Sequence, residues 1–199
     1  DCTNKIAPMI EYVANVLGQK HFTITEHESL SMHLKALNTL KDLQRDGKVA
    51  QDFTVGLGNE IYLVAQEELE SKLEAKERVE FYHFILIALD NEGHRQLREL
   101  STRAWAKMFN HKGIERVPTY MSDLKEVIGS NKGHVVGSTA CLGGQLSKAI
   151  LKEDYELANE FIDWCQDVFG EDYFYLEIQP HKKRNSEEEL VEQEIVNTW

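Results

Sequence analysis

The feature that most constrains the fold of this 199-residue chain is a repeated alternation of short β-type runs with segments of helical periodicity. Ile6, Met9, Ile10, Val13 and Leu17 recur at helical spacing, and Gly18 is placed to end that helix. The β-rich run 20–25 leads into Glu26-His27-Glu28. Ser29 is placed to cap a second helix, with Leu30, Leu34, Leu37, Leu40 and Leu43 on its buried face. A second β run covers 53–64. Residues 66–80 are heavily charged, with Glu68/Lys72 and Glu74/Arg78 four apart, and read as an exposed, solvated insertion.

The run 81–89 is almost continuously apolar, as expected of a parallel strand covered on both faces. Asn91 is placed to cap the next helix, with Leu97, Leu100, Ala104 and Met108 on its core stripe. Residues 109–120 read as a loop, and Ser122 as the cap of a short helix through Val127. A fourth β run at 133–138 enters the turn 139–144. A long helix follows, with Ala158, Phe161, Ile162, Cys165, Val168 and Phe169 on one face. A fifth β run covers 173–178, and Ser186 with Glu189 forms a capping box for a last helix. Trp105, Trp164 and Trp199 read as packing residues. Repeated β-α units predict an α/β fold, a sheet or barrel of about five parallel strands with helices, in a single domain over 1–199.

Composition narrows the function. The 22 basic and 34 acidic residues leave a net charge of −12, which disfavours a phosphate backbone as a general partner. No apolar run reaches the roughly 18–20 residues that span a bilayer, and residues 1–8 lack the pattern of a signal peptide. Cys2, Cys141 and Cys165 are odd in number and without CxxC spacing, which points to a reducing cytoplasm. No GxxxxGK[ST], GxGxxG or GxSxG pattern occurs.

In βα architectures functional groups gather at the carboxyl ends of strands. The first β run ends in His27, the second carries Glu60, and the fourth runs into Cys141; all three residue types can hold zinc or a similar ion. His83 lies near the start of its run rather than the end. Taken singly, each has an ordinary alternative: a hydrogen-bonded histidine for His27 and His83, an edge carboxylate for Glu60, a small buried hydrophobe for Cys141. His21, His33, His94, His111, His134 and His181 have no matching context and read as structural or exposed.

Taken in order, these segments resemble the PHP (polymerase and histidinol phosphatase) domain of bacterial and phage DNA polymerase III α subunits. The family's "TDHG" is similar to Thr25-Glu26-His27-Glu28, and its "GCE" to Gly58-Asn59-Glu60. Its "HLVLLA" strand is similar to 83–88, and an Asn91-Glu92-Gly93 segment follows through Leu97 as in the family. "SACLGG" is matched by 139–144 and "YLEIQ-x-H" by 175–181. The resemblance covers nearly the whole chain, and its last two motifs belong to the polymerase branch.

The resemblance implies a distorted (β/α)7-type barrel and a site for divalent metal ions: zinc, manganese or magnesium. It places metal ligands at His27, Glu60, His83 and Cys141, with Asp1 a weaker fifth. Glu26 stands where the family has aspartate, and Glu28 where it has glycine. The family's opening His-x-His and closing Asp-x-His strands would lie before Asp1 and after Trp199, so the resemblance implies an incomplete barrel and an incomplete site. It implies a cytoplasmic part of a DNA polymerase acting in replication, with the rest of the α subunit and other replisome subunits as partners. Contact with DNA would come through the parent protein. Phosphoester hydrolysis, as a 3′–5′ exonuclease or pyrophosphatase, is an implied activity of the parent, with little activity expected of this chain alone. A stand-alone phosphoesterase for small phosphate esters and a purely structural domain are the alternatives.

Overall fold

A computed structural model describes residues 4–111, 113–180 and 191–199. Five β runs expected from sequence become the path of a single sheet, in the order β1 (His21–His27), β2 (Thr54–Val64), β3 (Tyr82–Ala88), β7 (Val135–Ser138) and β8 (Phe174–Tyr175). Helices intervene: α1 (Ile6–Asn15), α2 (His33–Arg45), α3 (Gln66–Glu74), α4 (Asn91–Ala106), α5 (Met121–Val127), α6 (Gln145–Leu151) and α7 (Tyr155–Phe169), with α8 (Glu192–Thr198) after β8. This is a mixed α/β architecture of the expected class, with β1–β2 and β7–β8 paired in parallel.

β3 departs from expectation. It pairs antiparallel with both β2 and β7. Apolarity records that a strand is covered on both faces, and Phe84 and Leu86 are indeed buried, but it does not record direction. The reversal matters for the site. The start of β3 lies at the same end of the sheet as the carboxyl ends of β1, β2 and β7.

The expected loop 109–120 holds three short strands. β4 (Phe109–His111) and β5 (Ile114–Arg116) form a hairpin, and β6 (Pro118–Tyr120) extends the sheet beside β2. Residues 66–80 are not wholly solvated, because Leu69 is buried with Val64 and Val79 under α3. α3 ends at Glu74, so Glu68–Lys72 pairs at 2.5 Å on the helix while Arg78 lies beyond it.

The caps also shift. Ser29 does not cap α2, which starts at His33 without a side-chain cap. Asp90, not Asn91, caps α4 by accepting from the Gly93 amide, and α5 begins before Ser122. The buried face of α2 is His33, Ala36, Leu40 and Leu43, and Leu34 is exposed. Met108, Trp105 and Trp199 are also exposed rather than packed in the core. The capping box at 186–189 falls outside the described residues.

The main core lies between the sheet and α4–α7, centred on Phe84, Leu86, Leu100, Phe161 and Phe169. A second cluster holds α1 and α2 against the start of the sheet through Ile10, Val13, Leu40 and Phe53. Among the described residues no helix is long and apolar enough to cross a membrane.

Candidate metal centre

Strand register assembles the site. In the parallel β1–β2 pair His27 lies opposite Glu60, and in the antiparallel β2–β3 pair Tyr62 lies opposite His83. Side chains alternate along a strand, so Glu60 and Tyr62 share one face, and His27 presents the opposite face from Glu26. The Glu26 carboxylate instead accepts from the Met32 amide at 2.8 Å and the Ser31 hydroxyl at 3.0 Å, latching the entry to α2.

The turn after β7 brings in the fourth residue. The His83 amide donates to the Gly143 carbonyl at 3.1 Å, and the Gly144 amide to the Cys141 carbonyl at 2.8 Å. A Cβ on Gly143 would sit 3.0 Å from the His83 ring, so glycine permits this close approach. Ser138 and Thr139 anchor the same turn from β8's side: the Ser138 hydroxyl donates to Glu177 and the Glu177 amide donates to Thr139 Oγ1, both at 3.0 Å.

The result is a compact group of His27, Glu60 and His83 whose donor atoms all lie within 4.8 Å of one another. His83 Nδ1 is 2.8 Å from Glu60 Oε1, and His27 Nε2 is 3.3 Å from Glu60 Oε2. Cys141 lies beside this trio, its Sγ 3.5 Å from His83 Nδ1. Tyr62 contacts both imidazoles, with ring centroids 5.4 Å from His27 and 5.1 Å from His83. Asp1 lies outside the described residues.

The surroundings are short of polar partners. His27 Nδ1, Glu28 Oε1 and Arg116 Nε are buried without a hydrogen-bond partner among the described residues. Burial holds the Glu28 carboxyl above its usual range, against the lowering pull of a Val117 backbone hydrogen bond, His27 and Arg116. Burial, with the nearby Glu28 charge adding to it, also raises the Tyr62 hydroxyl. Buried polar atoms are ordinarily paired, so this concentration of unpaired ones marks a place where a ligand would complete the set. Two imidazoles, a carboxylate and a neighbouring thiol form a donor set that suits zinc, and the nitrogen and oxygen donors suit manganese as well. The residues fit a metal ion.

Sequence reasoning missed Tyr62 and Arg116. Tyr62 was within reach, because it stands two residues from Glu60 on the same strand face. Arg116 lies in the segment read as loop and gave no signal.

The family model for the PHP domain matches residues 1–181. The chain belongs to the PHP domain family. It is 37% identical over 195 residues to the DNA-directed DNA polymerase of Bacillus phage SPbeta, a match covering 90% of this chain and 15% of that protein. It is 32% identical over 143 residues to the DNA polymerase III subunit alpha of Chlamydia trachomatis, covering 72% of this chain and 10% of that protein. The corresponding subunit of Aquifex aeolicus is 28% identical over 188 residues, 92% of this chain and 14% of that protein. The matches thus span only about 10–15% of the length of these relatives. PHP domains are metal-dependent phosphoesterases, and His27, Glu60 and His83 form a group of this chain that could hold an ion.

Proposed function

We propose that this chain is the PHP domain, one domain over 1–199, of a replicative DNA polymerase α subunit, and that His27, Glu60, His83 and Cys141 hold divalent metal for phosphoester hydrolysis. The observation that supports this best is convergence. Four potential ligands arrive from β1, β2, β3 and the turn after β7, and meet at one end of the sheet. A bound divalent ion there would supply Lewis acidity, activating water and offsetting charge on phosphate.

The chain's own residues do the positioning. Glu60 bridges the two imidazoles, one carboxylate oxygen toward each, and so fixes both ring orientations. Gly143 lets the Cys141 turn close over His83. In the full polymerase the domain would pack beside the polymerase core in the cytoplasm, with other replisome subunits and DNA reached through the parent. With a net charge of −12, this chain is a poor general surface for DNA, and any contact it makes with a strand is local. Asp1 is a further ligand in this proposal.

A second reading, a scaffold with a reduced site, draws support from position 26. Its carboxylate is committed to the 31–32 backbone and hydroxyl rather than to the metal group. Elemental analysis and zinc or manganese titration, together with hydrolysis of a 3′-terminal phosphodiester, test the two. Bound metal that is lost in Glu60→Gln and His83→Ala, with hydrolysis lost alongside, supports the hydrolase. Bound metal without hydrolysis leaves the scaffold.

A further inference from the structure

Next to the trio lies a cavity of about 380 Å³ whose wall includes His83 and Tyr62 of the site just described. Its other walls carry Arg78, Arg116, Lys148 and His111, with Glu80 the lining carboxylate. Three cations facing one carboxylate is a local reversal of charge in a chain of net −12. Those cations are weakly engaged. Arg78 makes no hydrogen bond or ion pair among the described residues. Arg116 leaves a buried Nε unpaired and stacks over Phe81 at 5.4 Å. Lys148 reaches Glu80 only at 4.0 Å, and Glu80 is shared with Lys152 at 3.8 Å. Glu28 also faces Arg116, from the metal side.

We infer that this cavity is the anion subsite of the hydrolytic centre, and that it takes the phosphate of a single nucleotide unit. The inference rests on the reading of His27, Glu60 and His83 as the metal group. Arginine forks recognise phosphate through paired donors, and a lysine adds a point charge. The volume lies at the small end of the range for ligand pockets, about 300–1,000 Å³, which fits one nucleotide and not a duplex. Phe81 and Tyr62, 6.1 Å apart between centroids, offer apolar surface beside the cations for a sugar or base. Because His83 belongs to both the cavity and the trio, a phosphate held here puts its ester bond beside the metal group.

The test is calorimetric titration of the chelator-treated protein at low salt with deoxyadenosine monophosphate, orthophosphate and deoxyadenosine. The monophosphate and orthophosphate should bind, and deoxyadenosine should bind at least about tenfold more weakly than the monophosphate. Arg116→Ala and Arg78→Ala should each weaken the monophosphate by about tenfold or more, and Arg116→Lys by less. Arg78 is exposed, so its variant keeps the fold. Lys132→Ala, remote from the cavity, should bind as the parent does. A single-stranded oligonucleotide with a free 3′ end, titrated in parallel, separates a chain terminus from a free nucleotide as the source of the phosphate. Binding unchanged in Arg78→Ala and Arg116→Ala, or deoxyadenosine binding as tightly as the monophosphate, overturns the inference. The Glu60→Gln variant keeps the two claims apart: metal is lost from it if the metal reading holds, while phosphate binding in chelator survives if the cavity reading holds.

Discussion

At the scale of single residues, two positions carry more of the account than their residue types announce. Gly93 sits inside α4, where alanine would ordinarily favour the helix by about 1 kcal/mol. A Cβ there would lie 1.9 Å from the His134 carbonyl oxygen, which is backbone and cannot swing away. Gly93→Ala should therefore destabilise, by about 1–3 kcal/mol as overpacking does, seen as a fall in the midpoint of urea unfolding. His33 is the other. Of the two readings open to it, structural or exposed, it takes the structural one: it is 4% exposed, with Nε2 2.9 Å from the Gly58 carbonyl oxygen and Nδ1 3.1 Å from His94 Nε2. Leu34 and Leu37 suggested a face one position off at the start of α2, where His33 and Ala36 are buried instead, while Leu40 and Leu43 are buried as expected; spacing alone does not reveal that a histidine with both nitrogens paired is as buriable as a leucine. The candidate ligands had a clearer signal in part: His27 ends β1 and Cys141 lies in the turn after β7, where βα folds display chemistry, whereas Glu60 stands within β2.

At the scale of elements, the reversal of β3 is what the sequence did not disclose. A β run states its burial through side-chain type, but its direction follows from connections that no local pattern encodes. With β3 antiparallel, the position of His83 at the strand's start becomes the reason it meets His27, Glu60 and Cys141. β3 also anchors the core. Phe84 is 1% exposed and packs on Phe161, Phe169 and Phe174 with centroids 6.2, 5.6 and 6.4 Å away. Phe84→Ala should cost about 3–5 kcal/mol, read by the same unfolding experiment, and should loosen the start of β3 with it. The strands within 109–120 were hidden for a related reason: three-residue strands are too short to show a period, and Gly113 and Pro118 read as turn residues.

At the scale of the whole molecule, charge governs behaviour in solution. Asp90, Glu92, Glu126 and Asp167 are each held below their ordinary values, chiefly by a backbone amide for Asp90, and by Arg95, Arg103 and Lys125 for the others. A carboxylate depressed in the folded state contributes stability above its unfolded value and loses it as pH falls through the folded one. The urea midpoint should therefore decline as pH drops below the ordinary values of 4.5 for glutamate and 3.8 for aspartate. Asp90, Glu126 and Asp167 are exposed and Glu92 is half-buried, so added salt should shrink the effect. The central claim, that strands from four parts of the chain build a metal group, is tested most directly by zinc titration with elemental analysis of the protein, Glu60→Gln and His83→Ala. The account predicts bound metal in the parent, and a loss of affinity in both variants greater than the roughly 10–100-fold typical of removing an outer-shell partner. Metal bound equally well by all three proteins, or by none of them, would contradict it.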